Sequence, residues 1–387
     1  MSSRSEWPGL SKGIRSRTVS INDLEMHILE AFPGTSIPGA SKPPLVLLLH
    51  GFPELSYSWR KIIGPLSDAG YHVVAPDQRG YGRTKNAQTE STVKYEDDLN
   101  PFRMTNLVKD VVTLVYTLGY ESVAAVVGHD FGSPLAGYCA LIRPDLFKSV
   151  VLMSAPFTGA PKLSLGKAPT SLEKVVVEDF AALTPPRKHY WFYSCTPDAN
   201  ADMTNPPGGI HAFLREYYHV KSAEWKSDVP HPLSAFSAAV MVELPQYYAM
   251  LSHQTMPEAV HALGASAEEI NKAKAWMTEE ELSVYAAEYA RTGFQGGLNL
   301  YRIVTSPAWS SDLELFSGKQ IEVPSMFLAG KQDWGPYQFP GAVEAMRGRA
   351  CKSMEDFVLI DGAGHWVQQE QSDKVVEHLL KFLGKRQ

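Results

Sequence analysis

Asp130 stands in the middle of Gly128-His129-Asp130-Phe131-Gly132, between an apolar run that begins near Ser122 and a helical pattern over 133–143. The apolar run reads as a buried parallel strand. Nearly side-chain-free flanks permit a tight strand-to-helix turn. Such a turn lifts its middle residue to a helix N-terminus, where free amides and the helix dipole favour negative charge. A carboxylate held there can attack an electrophilic carbon and form an ester. An Asp after a strand also serves as a plain helix N-cap, so the rest of the chain has to decide between the two.

An Asp nucleophile needs three further groups: donors for the charge that builds on the ester oxygen, a base to activate water, and a partner that orients the base. His365, in Asp361-Gly-Ala-Gly-His-Trp366, follows an apolar stretch and sits among small residues that let an imidazole project. Asp333, in Gly330-Lys-Gln-Asp-Trp334, ends the preceding apolar stretch. It is suited to accept from the second imidazole nitrogen and to stabilise the imidazolium. Taken singly, His365 also reads as a helix cap and Asp333 as a turn former.

The elements that must carry these residues follow from pattern. Residues 15–21 and 24–32 alternate around Asn22-Asp23 and predict an antiparallel hairpin. Strands are expected at 44–50, 71–77, 148–155, 324–330 and 357–364. Helices are expected at 57–69, 105–118, 341–348 and 373–383. The stretch 34–44 reads as a loop, and 86–103 as a long polar one. Strands alternating with helices imply a mostly parallel sheet with helices on both faces and right-handed crossovers. From Pro156 to about Ser306 the alternation stops, and aromatic-rich helical pieces broken by prolines take over. This block reads as a helical insertion above the carboxyl ends of the strands, where open α/β sheets place their sites. The division is therefore 1–156 with 306–387 as the core, and 157–305 as a helical cap.

Composition narrows the function classes. With 44% hydrophobic residues in 387, a large core can be buried. A net charge of −6 without a Lys/Arg run argues against nucleic acid and anionic membrane as partners. Three scattered cysteines, Cys139, Cys195 and Cys351, match neither a disulfide framework nor a zinc site. No apolar signal core or membrane span is evident, so the expectation is a cytoplasmic protein. Oligomeric state is not legible.

Taken in order, His50-Gly-Phe-Pro-Glu54, Asp77-Gln-Arg-Gly-Tyr-Gly82, Gly128-His-Asp-Phe-Gly132, Asp333 and Gly364-His365 resemble the epoxide hydrolases of the α/β-hydrolase fold. The resemblance implies that fold, with an inserted cap, and the triad order nucleophile, acid, base. The other place where this fold carries its acid, Ser154-Ala-Pro-Phe157, has no carboxylate, which favours Asp333. The resemblance also implies an oxyanion hole from the backbone N–H groups of Phe52 and Phe131, with Phe52-Pro53 a candidate cis bond.

An Asp at the elbow points to epoxide hydrolases or to haloalkane and haloacid dehalogenases. Epoxide opening leaves an alkoxide, a poorer leaving group than halide, so an acid must serve the ring oxygen. Tyrosine, with an ordinary pKa of about 10, stays protonated at neutral pH. The family uses two cap tyrosines. Gly293-Phe-Gln-Gly-Gly-Leu-Asn-Leu-Tyr-Arg302 matches one motif and implies Tyr301; His189-Tyr-Trp-Phe-Tyr193 resembles the other and implies Tyr190, with Tyr193 in reserve. Many relatives carry Trp after the nucleophile. Phe131 lacks the indole N–H that a dehalogenase turns on halide. The implied reaction takes an epoxide and water to a vicinal diol through an ester on Asp130, with no metal or organic cofactor. The alternatives are another Asp-nucleophile hydrolase acting on halides, esters or lactones, and a non-catalytic binding protein on the same fold.

Overall fold

The computed structural model describes residues 7–34, 42–89, 92–163, 174–227 and 229–385. The expected loop 34–44 therefore lies mostly outside the described residues, as do residues 90–91 of the polar stretch. Strands β1 (Arg15–Ile21) and β2 (Leu24–Ala31) form the hairpin, in antiparallel register from Arg15 opposite Glu30 to Ile21 opposite Leu24. Then come β3 (Leu45–Leu49), helix α1 (Arg60–Asp68), β4 (His72–Pro76), the short β5 (Lys85–Asn86), α2 (Met104–Thr117), β6 (Ala125–His129), α3 (Gly132–Ile142) and β7 (Val150–Met153).

Between β7 and the next sheet strand the chain is mainly helical: α4 (Tyr190–Ser194), α5 (Ala199–Thr204), α6 (Gly209–Val220), α7 (Ala238–Met241), α8 (Met256–His261), α9 (Ala267–Ala273), α10 (Glu279–Thr292), α11 (Gln295–Thr305) and α12 (Pro307–Ser310). The sequence led to helices alone here. The structure corrects this with a two-stranded antiparallel sheet, β8 (Arg187–His189) on β9 (Ala249–Leu251). Three-residue strands have too little alternation to read from pattern, and their pairing joins residues some sixty positions apart. The core resumes with β10 (Ser325–Gly330), α13 (Ala342–Ala345), β11 (Met354–Ile360), α14 (Val367–Glu370) and α15 (Ser372–Gly384).

The sheet runs β1-β2-β4-β3-β6-β7-β10-β11, with β5 added beside β2. From β4 to β11 every pairing is parallel. The central strands carry the continuous apolar runs that two covered faces require, and Leu45–Leu49, Ala125–Val127 and Val150–Met153 are wholly buried. The chain order reverses direction across β3, so the carboxyl ends of β3 and β6 open a crevice. The helical segment sits over that edge. Tyr218 and Tyr289 donate to the carbonyls of Pro53 and Glu54, and Arg60 pairs with Glu281. No helix among the described residues is long and apolar enough to cross a membrane.

Candidate active site

Asp130 follows the end of β6 at φ +52, a backbone region that non-glycine residues occupy at a cost of about 1–3 kcal/mol. Its neighbours explain why the turn holds. A Cβ on Gly128 would overlap the Gly132 carbonyl, and one on Gly132 would overlap the Leu49 carbonyl of β3. The turn thus packs backbone on backbone, and the carboxylate projects from it. Its two oxygens are engaged differently. Oδ1 accepts the Phe52 N–H at 2.8 Å, whereas Oδ2 faces His365 Nε2 at 3.5 Å. The Phe52–Pro53 bond in this loop is cis.

His365 is set by the loop between β11 and α14. Its Nδ1 lies 3.1 Å from Asp333 Oδ1, which also accepts the Gly335 N–H at 2.7 Å. Burial disfavours a charged imidazole here, but the Asp333 charge, the facing Asp130 carboxylate and the hydrogen bond to Asp333 outweigh it and push His365 up to about 9. Burial would likewise raise the Asp130 carboxyl, yet the facing His365, then His129 and the Phe52 N–H, hold it down to about 2. Asp333 is also lowered against its burial, chiefly by His365. The resting site is therefore carboxylate, imidazolium, carboxylate.

The two tyrosines flank this group. Tyr301 stands edge-on to Phe131 with ring centroids 4.7 Å apart, and edge-on to Tyr190 at 5.8 Å. Burial first, and nearby charges including Asp130 next, push both hydroxyls well above the ordinary range, so both keep their protons. Tyr190 donates to Gln338 Oε1 at 2.9 Å; the Tyr301 hydroxyl makes no hydrogen bond among the described residues. The reserve residue lies elsewhere: Tyr193 donates to Asp202 at 2.9 Å and carries Lys188 over its ring. Asp130, Phe131 and Tyr190 line a cavity of about 590 Å³ whose remaining walls are mostly apolar, among them Tyr138, Phe157 and Leu313. A separate cavity of about 320 Å³ beside Phe102 contains none of these groups.

Sequence reasoning gave no role to Glu54, His129 or Gln338. Glu54 and His129 are fully buried. His129 Nδ1 reaches Glu54 Oε2 at 2.6 Å and Nε2 reaches the His365 carbonyl at 2.7 Å. Glu54 also accepts from the Gly51 N–H and from Gln368 and Gln369. The network joins the loop after β3, the elbow and the histidine loop. Glu54 and His129 stood inside recognised motifs, which was the available signal; Gln338 had none. No cluster of His, Cys, Asp or Glu among the described residues has the arrangement of a metal site.

Residues 44–183 match the family model for the alpha/beta hydrolase fold. Among curated proteins, the chain is 32% identical to Epoxide hydrolase A of Mycobacterium tuberculosis, over 95% of this chain and 96% of that protein. It is 29% identical to Epoxide hydrolase 2 of Siraitia grosvenorii over 96% of this chain and 99% of the relative. Among solved structures, an epoxide hydrolase from an endophytic Streptomyces superposes with a TM-score of 0.73 at 30% identity, covering 97% of this chain and 96% of the other.

Proposed function

This chain belongs to the epoxide hydrolases of the α/β-hydrolase fold, and from that premise we propose that it opens its substrate through a covalent ester on Asp130. The observation that carries the proposal is the unequal engagement of the two carboxylate oxygens. Oδ1 rests on a backbone donor and is the oxygen that becomes the ester carbonyl. Oδ2 is the attacking atom.

Residues 157–305 act in this reading as a cap over the core formed by 1–156 and 306–387. Tyr301 and Tyr190 hold the epoxide oxygen from the cap side. Oδ2 attacks a ring carbon, the C–O bond breaks, and the oxygen takes a tyrosine proton. Esterification removes the negative charge facing Nε2 and lowers the proton affinity of His365, so the imidazolium gives its proton to the tyrosinate, restoring the tyrosine hydroxyl, and the neutral imidazole can act as base. It then takes a proton from water as the hydroxide attacks the Asp130 carboxyl carbon. The Phe52 and Phe131 N–H groups stabilise the charge on Oδ1, as preorganised donors do for tetrahedral intermediates. Collapse breaks the bond between that carbon and Oδ2. The alkoxide takes the proton from His365 and leaves as a vicinal diol, carrying Oδ2 with it, and the new Asp130 carboxyl passes its proton to His365, which restores the carboxylate–imidazolium pair. Asp333 keeps the imidazole oriented and offsets its charge throughout.

The test is intact mass of a His365→Gln variant incubated with an aryl epoxide. The expected result is a gain of one substrate mass that disappears when Asp130→Asn is added. A folded variant that gains no mass across small, bulky and aliphatic epoxides overturns the ester mechanism.

A further inference from the structure

The carboxylate of Glu370 gathers three backbone N–H groups from two separate parts of the chain. Oε2 accepts from Gly364 at 3.0 Å and from Ala223 at 2.8 Å; Oε1 accepts from Trp366 at 3.0 Å. Gly364 and Trp366 flank His365. Ala223 lies just beyond the C-terminus of α6, in the helical segment above the sheet. Other bonds run along the same seam. The His365 N–H donates to the Lys221 carbonyl at 2.8 Å, and the Trp366 indole N–H to the Tyr218 carbonyl at 2.8 Å. The approach leaves no room for a side chain at Gly364, where a Cβ would lie 2.5 Å from the Lys221 carbonyl oxygen and 2.7 Å from the Ala223 nitrogen. Nothing in the reaction requires Glu370 to touch substrate, and none of the motifs includes it.

We propose that Glu370 is a positioning residue for the second chemical step, clamping the backbone on both sides of His365 to the cap strap 221–223 so that Nε2 faces the ester carbon. This rests on the ester mechanism above. Asp130 is placed by the elbow and by Phe52, neither of which Glu370 contacts, and the elbow meets the clamped loop through the His129 bond to the His365 carbonyl, so the first step depends on the clamp far less than the second. The second depends on it because water must lie between Nε2 and the ester carbon, and a displacement of about 1 Å there costs up to about 100-fold. Burial pushes the Glu370 carboxyl up to about 7 against the pull of its three N–H donors, and the amide of Gln does not reproduce the ionised form they select. Its single oxygen serves one side of the clamp, and its NH₂ then meets an N–H donor on the other.

The experiment is rapid-quench intact mass with one aryl epoxide on the wild type, Glu370→Gln and His365→Gln, with thermal midpoints recorded for each. In Glu370→Gln, ester formation is expected to stay within about twofold while ester hydrolysis slows about 10- to 100-fold, so that adduct accumulates. Hydrolysis at the wild-type rate overturns the proposal, as do equal losses in both steps, which mark a general structural role. If Glu370→Gln fails to fold, Glu370→Asp is measured for the same split, and failure of both to fold assigns Glu370 to folding alone and overturns it. The His365→Gln arm separates the two readings. No adduct in that variant removes the ester mechanism itself, whereas adduct there with fast hydrolysis in Glu370→Gln removes only the clamp.

Discussion

His365 Nε2 faces Asp130 Oδ2 at 3.5 Å, too long for a strong hydrogen bond and close enough for each charge to set the other. In the proposed mechanism this pairing keeps His365 protonated until Asp130 has formed its ester. The imidazole pKa, pushed up to about 9 against its burial by Asp333 and Asp130, should be directly visible by NMR titration of the ring. In Asp130→Asn, which removes the charge as esterification does, the inflection should move down. The sign for stability is also fixed. An unfolded His titrates near about 6.5, so the raised value contributes stability that is fully present below that pH and is lost as pH rises through about 9. Asp130→Asn should shrink this alkaline loss. An unchanged inflection in the variant would show that the two groups are not coupled.

The tyrosine hydroxyls differ in what they already hold. The Tyr190 hydroxyl donates to Gln338, while the Tyr301 hydroxyl is without a hydrogen bond among the described residues and its ring lies against Phe131. Tyr301→Phe should therefore cost the greater share of the ester-forming rate, about 10²-fold, in the range measured for loss of one preorganised donor. Tyr190→Phe should cost less, and the double variant should form no ester on the timescale of turnover. Single-turnover rates of adduct formation check the order. Tyr193→Phe is the control: its hydroxyl serves Asp202, so ester formation should stay within about twofold of wild type.

What could be read from the sequence divides along physical lines. Asp130 was legible because its turn forces Gly at 128 and 132 on either side, a local signature of backbone packing. The parallel core was legible because strands such as Leu45–Leu49 are apolar on both faces. Tyr190 and Tyr193 could not be separated by spacing, since which ring turns toward the cavity depends on Gln338 and Asp202. The β8–β9 pair left no trace, because three residues per strand give no alternation. Glu370 was invisible for a stronger reason. Its partners are backbone N–H groups, which every residue except proline possesses.

The motif around Gly296 has a mechanical reading that can be tested. Helix α11 meets the core at the Gly80 turn, φ +85, where a Cβ on Gly296 would overlap the Gly80 carbonyl. A Cβ on Gly297 would lie 2.5 Å from the Phe52 ring. The same helix carries Tyr301. Gly296→Ala should destabilise the fold by about 1–3 kcal/mol, the usual cost of overpacking. It should also lower kcat/KM by more than tenfold, roughly what a displaced donor costs. Denaturation midpoints and steady-state kinetics measure both. A variant as stable and active as the wild type would mean that this contact does not place Tyr301.

Glu54 offers the sharpest stability test. It is fully buried and pairs with His129 at 2.6 Å, and His129 in turn holds the His365 carbonyl. Burial raises its carboxyl, but the charge and hydrogen bond of His129 overcome this and leave it below the ordinary value. Glu54→Gln keeps the shape, removes the carboxylate charge and leaves His129 Nδ1 without its carboxylate partner. Breaking a buried pair by deleting one partner costs about 3–5 kcal/mol, and denaturant unfolding near pH 7 should show a loss of that size. The pH dependence follows from the direction of the shift. A lowered carboxyl contributes stability that is present above its unfolded pKa of about 4.3 and is lost as pH falls through the folded value. The gap between wild type and variant should therefore narrow with acid. A gap that stays constant from pH 7 into the acid range would mean that lost packing, not the ion pair, accounts for the loss.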